Sequence, residues 1–179
     1  MKTENEFKLD VVSVRLVKDA QLYLKQPFNH PYEVAAAMGE YMCQFDREVI
    51  GVVNLRTDLK PINVHFASMG TLTEAIAHPR ELLKASILSN ANSMLMIHCH
   101  PSGNLLPSKE DTMLTDRISK LCELLGIPLL DHIIVGGDNR DFFSFKEKGM
   151  IDNPNITYSS DYRTLDIQSP LVAEKGMVR

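Results

Sequence analysis

The sequence has few cysteines, no long apolar run and no large excess of either charge, and each shortage excludes a class of protein. The three cysteines, Cys43, Cys99 and Cys122, are an odd number at unrelated spacings. This excludes a disulfide framework and favours a reducing compartment, the cytoplasm. No stretch approaches the roughly 20 uncharged apolar residues of a membrane-spanning helix. The start, MKTENEFKLD, lacks the basic and apolar regions of a secretory signal, so we expect neither a membrane span nor export.

The charge balance limits the partners that the composition favours. With 19 basic and 23 acidic residues, the formal net charge is -4, which gives no electrostatic reason to expect tight nucleic-acid binding. Hydrophobic residues make up 44% of the 179 positions and charged residues 23%, which is the balance of a soluble globular domain. The composition does not exclude a local basic patch on the surface. It does not fix the oligomeric state and is compatible with a homo-oligomer.

Strands and helices alternate along most of the chain. Hydrophobic patterning predicts strands at 8–17, 48–56, 62–67, 93–99, 129–135 and 141–145, and helices at 31–46, 79–89 and 109–125. This order predicts an α/β or α+β sandwich in which helices pack on a mixed sheet. We divide the chain into an N-terminal strand and linker (1–30), a main domain (31–152) and a C-terminal tail (153–179), where the periodicity fades.

Two histidines end the apolar segment SMLMIHC, which is predicted to be a strand. His98 and His100 are two residues apart, so their rings point to the same face of a strand, while Cys99 points to the other. Asp111 begins the next helix, and the proline- and glycine-containing loop HPSGNLLP allows the chain to fold back between them. Two imidazoles and one carboxylate leave a fourth position open for water, which is typical of a catalytic zinc site. We expect one Zn²⁺ per chain, although the same donors suit Fe, Co, Ni or Mn.

Two more polar residues fit the chemistry of such a site. Glu48 stands at the head of the buried strand EVIGVV, and it is our candidate for the base that takes a proton from the zinc water and redelivers it. Ser108, three residues before Asp111, can donate a hydrogen bond to an oxyanion. Both have plainer interpretations. Glu48 fits a solvated strand-end carboxylate, and Ser-Lys-Glu-Asp before an apolar helix is the pattern of a capping box.

The same residues resemble a known family. His98-x-His100, Ser108 and Asp111, with an upstream glutamate, resemble the JAMM metalloprotease motif of the JAB1/MPN fold, and the wider sequence is similar to its bacterial RadC branch. The matching segments cover about 40–146: GTL at 70–72, HPRELLK at 78–84, HCHPSGNLLPSKED at 98–111 and LLGIPLLDHIIVG at 124–136. The resemblance implies a cytidine-deaminase-like three-layer sandwich, a mixed β-sheet flanked by helices. It also implies His98, His100 and Asp111 as zinc ligands, Glu48 as acid/base and Ser108 as oxyanion partner.

The sequence departs from this branch at three places. Cys99 stands where the branch commonly has asparagine between the histidines, and Thr73 stands where it commonly has asparagine after GTL. On alternation grounds Cys99 changes the back of the strand and not the metal side. The helix-hairpin-helix DNA-binding module often found ahead of the domain is not expected, because residues 1–40 are too few to hold it.

Several other polar residues have two readings. Asp131 and His132 enter a buried strand, where one of them can hydrogen-bond a ligand imidazole or both can form an ordinary strand-end pair. We expect the three remaining histidines to be surface or turn residues; these are His30, His65 and His78. Cys99 and Cys122 are expected to be small buried apolar residues.

The sequence therefore predicts a zinc-dependent metallohydrolase of the JAMM type that cleaves peptide or isopeptide amide bonds in a peptide or protein substrate. Amides suit this design because their poor leaving group needs a delivered proton. The alternative is a RadC-type DNA repair or recombination accessory, or a metal-bound interaction module without protease activity. The acidic composition and the missing DNA-binding module argue against a role on DNA.

Overall fold

One five-stranded sheet forms the middle of the fold. The computed structural model describes residues 11, 13–22, 31–70, 77–137 and 141–151, so His30, Thr73 and the tail from 153 lie outside the described residues. The strands are β1 (Val49–Leu55), β2 (Pro61–Met69), β3 (Ser93–His100), β4 (Leu129–Gly136) and β5 (Phe142–Ser144). They are ordered β2-β1-β3-β4-β5, with β3 and β4 parallel and the other neighbours antiparallel.

Helices cover both faces of this sheet. They are α1 (Pro31–Met42), α2 (Pro79–Leu88) and α3 (Lys109–Leu125). Alternate residues of the central strands point to opposite faces, and each face packs on a different helical layer. Val49 and Ile97 belong to the core on the α1 side, whereas Ile50 and Met96 belong to the core under α2 and α3. The predicted fold class, an α/β sandwich with a mixed sheet between helices, is confirmed.

The segment from β3 to α3 has clear local causes for its path. The strand SMLMIHCH is completely buried, and Gly103 in the following loop has φ 74°, a left-handed value that glycine adopts at no steric cost. Ser108 caps the start of α3, and Gly126 ends it at φ 66°, where the backbone N–H donates to Cys122 O and Glu123 O. Both ends of α3 agree with the predicted helix at 109–125.

The N-terminal strand that the sequence predicts at 8–17 does not form in the residues that the structure describes there, 11 and 13–17. Val14 is 70% exposed and Val17 is 88% exposed. An alternating apolar pattern makes a strand only when a neighbouring strand and a core accept it, and these residues have neither. Among the described helices, none is long and apolar enough to cross a membrane.

Asp131 on β4 makes the stability of the fold depend on pH. Its buried carboxylate accepts hydrogen bonds from the Ser144 hydroxyl at 2.6 Å and the Lys146 N–H at 2.9 Å. Burial nevertheless raises its pKa from 3.8 to about 6, against the lowering effect of these donors, the backbone of His132 and the charge of Lys146. The carboxyl group therefore contributes stability fully below about pH 4, and this contribution is lost as the pH rises through about 6.

We expect Asp131→Asn to remove this dependence. The free energy of unfolding of the wild type, compared with the variant, should fall between about pH 4 and pH 6 by at most about 3 kcal/mol, since one pKa unit corresponds to about 1.4 kcal/mol. Urea unfolding at a series of pH values measures the difference. Asp141→Asn, at an exposed position, is the matched control and should show no such window. A wild-type/Asp131→Asn difference that is constant across this range would contradict the assignment.

Candidate metal centre

The end of β3 and the first turn of α3 place three of the predicted site residues together. His98 and His100 are both buried, and their ring centroids are 4.4 Å apart at an interplanar angle of 86°. Asp111 contacts both rings: its Oδ1 lies 2.7 Å from His98 Nδ1, and its Oδ2 lies 3.6 Å from His100 Nε2. The loop at 101–108 thus folds back as the sequence predicts, and it brings the carboxylate to the face that carries the imidazoles.

Glu48 reaches the same face from the neighbouring strand. In the antiparallel β1–β3 pair, Ile50 lies opposite His98 and Val49 opposite Cys99, so Glu48 continues this register to the level of His100. Its Oε2 lies 3.5 Å from His98 Nε2. One ligand atom each from Glu48, His98 and His100 lie within 4.8 Å of one another, a spacing that can hold a metal ion. The two carboxylates therefore flank the histidine pair.

The charged side chains of this site shift the pKa values of His98 and Glu48. Burial disfavours a charged His98 ring, but the neighbouring carboxylates of Asp111 and Glu48 outweigh it and raise the pKa of His98 to about 9. The pKa of Glu48 is lowered, first by its contact with the His98 ring and against partial burial. His98 and the carboxylates thus favour each other's charged forms.

Asp111 caps the start of α3 and contacts the histidines at the same time. Its carboxylate closes a capping box, in which Oδ2 accepts from the Ser108 N–H at 2.8 Å and the Asp111 N–H donates to Ser108 Oγ at 3.0 Å. The second oxygen, Oδ1, faces His98. Burial raises the pKa of Asp111, but His100, His98 and Ser108 hold it well below its usual range. The cap therefore presents the carboxylate to the histidines.

Ser108 is the one predicted site residue on the surface. Its hydroxyl donates to Asp111 Oδ2 at 2.6 Å, and among the described residues no hydrogen bond joins it to a histidine. The capping interpretation of Ser108 is confirmed. An oxyanion role requires that this hydroxyl turn from Asp111 toward a substrate, and it stays a prediction.

A hydrogen bond that the sequence analysis missed orients His100. The Nδ1 atom of His100 lies 2.7 Å from the carbonyl oxygen of Asn104, an acceptor only, so Nδ1 carries the proton. The Nε2 atom on the other side of the ring then faces Asp111. This contact is local, four residues along the chain, but it depends on the path of the loop and leaves no signal in residue types.

His132 is also part of the site, although it does not hydrogen-bond a ligand imidazole. Its fully buried ring lies parallel to His98, with centroids 6.2 Å apart, and stacks on Phe145 at 4.7 Å. The Thr115 hydroxyl donates to Asp111 O at 2.7 Å and, at 2.7 Å, accepts the proton of His132 Nδ1. Burial lowers the pKa of His132 to about 3, so the ring is neutral. His132 and Thr115 thereby join β4 to the first turn of α3.

We expect Thr115→Val, which keeps the shape of the side chain, to lower the free energy of unfolding by about 1–3 kcal/mol. The reason is that the buried His132 N–H loses its acceptor. Denaturant unfolding checks this, and Thr115→Ser should recover most of the loss because it restores the hydroxyl. Ile118→Val, one turn along the same helix and equally buried, is the matched packing control. It should lower the free energy of unfolding by about 1 kcal/mol. Equal stability of the valine and serine variants would contradict the role of the hydroxyl.

Four other cysteines and histidines discussed from the sequence lie in the cores or at the surface, away from the metal centre. Cys99 and Cys122 are buried in the two cores on opposite sides of the sheet, as predicted, and burial raises their pKa values to about 12 and about 11. His78 is exposed at the start of α2, and His65 is half-buried on β2. None of these four lies in the metal centre.

The donor set fits a divalent metal. Both ring nitrogens of His98 are buried, and neither has a well-aligned hydrogen bond among the described residues, although carboxylate oxygens lie nearby. A buried nitrogen without such a partner costs about 1–3 kcal/mol, which coordination of a metal ion offsets. Two imidazoles with one or two carboxylates form a mixed nitrogen and oxygen set that suits Zn²⁺ and neighbouring transition metals.

Comparison with known proteins agrees with this architecture. A family model described as "RadC-like JAB domain" matches residues 28–150. A UPF0758 protein of Desulfitobacterium hafniense is 41% identical over 123 residues, which is 69% of this chain and 53% of that protein. A UPF0758 protein of Thermotoga maritima is 39% identical over 108 residues, 60% of this chain and 48% of that protein. The chain spans about half the length of the curated relatives it matches, and their names state no activity.

Proposed function

The chain belongs to the family of RadC-like JAB domains, and from this premise we propose that it is a zinc-dependent hydrolase of peptide or isopeptide amide bonds. The single observation that carries the proposal is the convergence of His98, His100, Asp111 and Glu48 on one side of the sheet, with both His98 nitrogens lacking a well-aligned hydrogen bond. With two histidines and one carboxylate on the metal, a fourth coordination position stays open for water, and the second carboxylate is free for acid/base work.

In this proposal, three residues hold the metal and two act on the substrate. His98, His100 and Asp111 are the ligands, and a bound zinc ion supplies a Lewis acid that lowers the pKa of a coordinated water to about 7. Glu48 removes the proton of the attacking water and delivers it to the leaving amine; its carboxylate lies beside the histidine pair, 3.5 Å from His98 Nε2. Ser108 is exposed, and its hydroxyl turns from Asp111 to donate a hydrogen bond to the oxyanion of the substrate.

The substrate side of the proposal is a peptide or protein in the cytoplasm. The site stands at the end of β3, next to the exposed loop residues Ser102–Asn104, so an extended chain can approach it from solvent. Since the chain covers about half of each relative, the activity, the substrates and the partners of the whole protein are part of the proposal.

The test combines metal analysis with hydrolysis of a peptide library. The protein is stripped with a chelator and reloaded with zinc, and each form is incubated with a mixture of fluorogenic peptides and branched isopeptides. We expect about one zinc per chain after reloading and cleavage by the reloaded form only. Cleavage that is indifferent to the chelator would contradict the metal mechanism. Stoichiometric zinc without cleavage of any amide would favour a metal-bound interaction module instead.

A further inference from the structure

Two cysteine thiols meet on the opposite side of β3 from the metal centre. The Sγ atoms of Cys43 and Cys99 lie 3.9 Å apart, although 56 residues separate them in sequence. Cys43 is half-buried in the turn that follows α1, whereas Cys99 is 0% exposed in the middle of the sheet. All three cysteines are reduced thiols, and Cys122 lies in the other core. The two thiols are therefore close enough to react with each other, and the thiol of Cys43 is partly accessible to solvent.

We propose that Cys43 and Cys99 form an oxidation site, at which a peroxide closes a disulfide, and that this disulfide weakens metal binding by the two histidines on either side of Cys99. The effect on the metal rests on the proposed function, whereas the disulfide itself does not.

The reaction is a two-electron oxidation with a peroxide as oxidant. The half-buried Cys43 thiol attacks one peroxide oxygen, the O–O bond breaks, and a sulfenic acid and one water form. The Cys99 sulfur then attacks the Cys43 sulfur, the S–O bond breaks, and the Cys99 proton leaves with the hydroxyl group as a second water. The two thiols supply both electrons and both hydrogen atoms. Their fixed proximity favours closure within the chain over reaction with an external thiol.

Closing this bond disturbs the strand that carries the histidines. A disulfide holds its sulfurs at about 2.05 Å, so the two Sγ atoms must approach by about 1.9 Å from their present 3.9 Å. Cys99 pairs with Val49 on β1 and with Val135 on β4, and it therefore cannot move without moving its neighbours. His98 and His100 flank it directly, so a pull toward α1 draws both imidazoles away from Asp111 on the other face. Loss of a group that orients a metal ligand typically reduces metal affinity about 10- to 100-fold, and we expect the displaced strand to act at the lower end of this range.

The experiment treats the full chain with hydrogen peroxide and follows thiols and zinc together. After denaturation, alkylation should find one thiol where the untreated chain has three, and the intact mass should fall by two hydrogen atoms. Zinc affinity, measured by competition with a chromogenic chelator, should fall about 10-fold and recover with dithiothreitol. Cys43→Ser should keep its zinc affinity under peroxide. Cys122→Ser, a matched removal of a thiol from the other core, should respond like the wild type.

Any of the following outcomes would overturn the proposal. Three thiols after peroxide, a bond to Cys122 or a disulfide between two chains would show that the pair does not form the disulfide. A disulfide with unchanged zinc affinity would show that it does not reach the metal centre, as would an equal loss of zinc affinity in Cys43→Ser. An untreated wild type that binds no zinc contradicts the proposed function, and this result is separate because the thiol count still reports the disulfide.

Discussion

His98→Ala and His100→Ala are each expected to lower the zinc affinity of the protein at least about 100-fold. Loss of a group that merely orients a ligand already reduces metal affinity about 10- to 100-fold, and each of these variants removes a ligand itself. His98 has the greater structural weight, because its ring contacts both Asp111 and Glu48. Competition titration against a chelator of known affinity measures the zinc affinity, and metal analysis of the purified variants gives the zinc content per chain.

His78→Ala is the matched control for these two variants. His78 is an exposed histidine at the start of α2, and its side chain makes no capping hydrogen bond, so its loss should leave zinc affinity unchanged. Far-UV circular dichroism and thermal unfolding in the presence of a chelator separate metal loss from misfolding. Wild-type zinc content in either His98→Ala or His100→Ala would remove the basis of the metal centre.

The candidate ligands could be predicted from the sequence because they depend on local rules. Alternation on a strand places His98 and His100 on one face, and a loop followed by a helix start places Asp111 within reach. The helix at 109–125 and its glycine cap follow from its own periodicity and from Gly126. These features need no knowledge of which elements pack together, and the structure reproduces them.

The rest of the site depends on which elements pack together, and this packing cannot be predicted from the residue pattern of a single sequence. The contact of Glu48 with His98 requires the β1–β3 register, and that of His132 with Thr115 requires α3 to lie on β4. The approach of Cys43 to Cys99 requires α1 to cover the opposite face. The same limit explains why the described residues of the predicted strand at 8–17, which are 11 and 13–17, form no strand: the pattern is present, but no neighbouring strand is found among the described residues.

Two assignments of the carboxylates fit the geometry of the metal centre. In the first, which the sequence predicts, Asp111 is the third ligand and Glu48 is the base. In the second, Glu48 completes the ligand set with His98 and His100, to which its ligand atom lies within 4.8 Å. Asp111 contacts both histidines, and Ser108 and the start of α3 hold it rigidly in place, whereas Glu48 precedes β1 and is partly exposed. A carboxylate held by its own hydrogen bonds suits a ligand, and a partly exposed one suits proton exchange with water and substrate, so we favour the first assignment.

Glu48→Gln is therefore expected to abolish most of the hydrolysis and to leave the zinc in place. Glutamine keeps the size and the hydrogen-bonding reach of the side chain but cannot carry a proton, and loss of a positioned base typically lowers kcat about 10²- to 10⁴-fold. Zinc affinity should stay within a few-fold of wild type, whereas Asp111→Asn should lose zinc and activity together. The readouts are kcat on a cleaved peptide and zinc affinity on the same preparation. Glu110→Gln, an exposed carboxylate in the first turn of α3, is the matched control and should change neither. Should Glu48→Gln lose its zinc while Asp111→Asn retains it, the roles of the two carboxylates are exchanged.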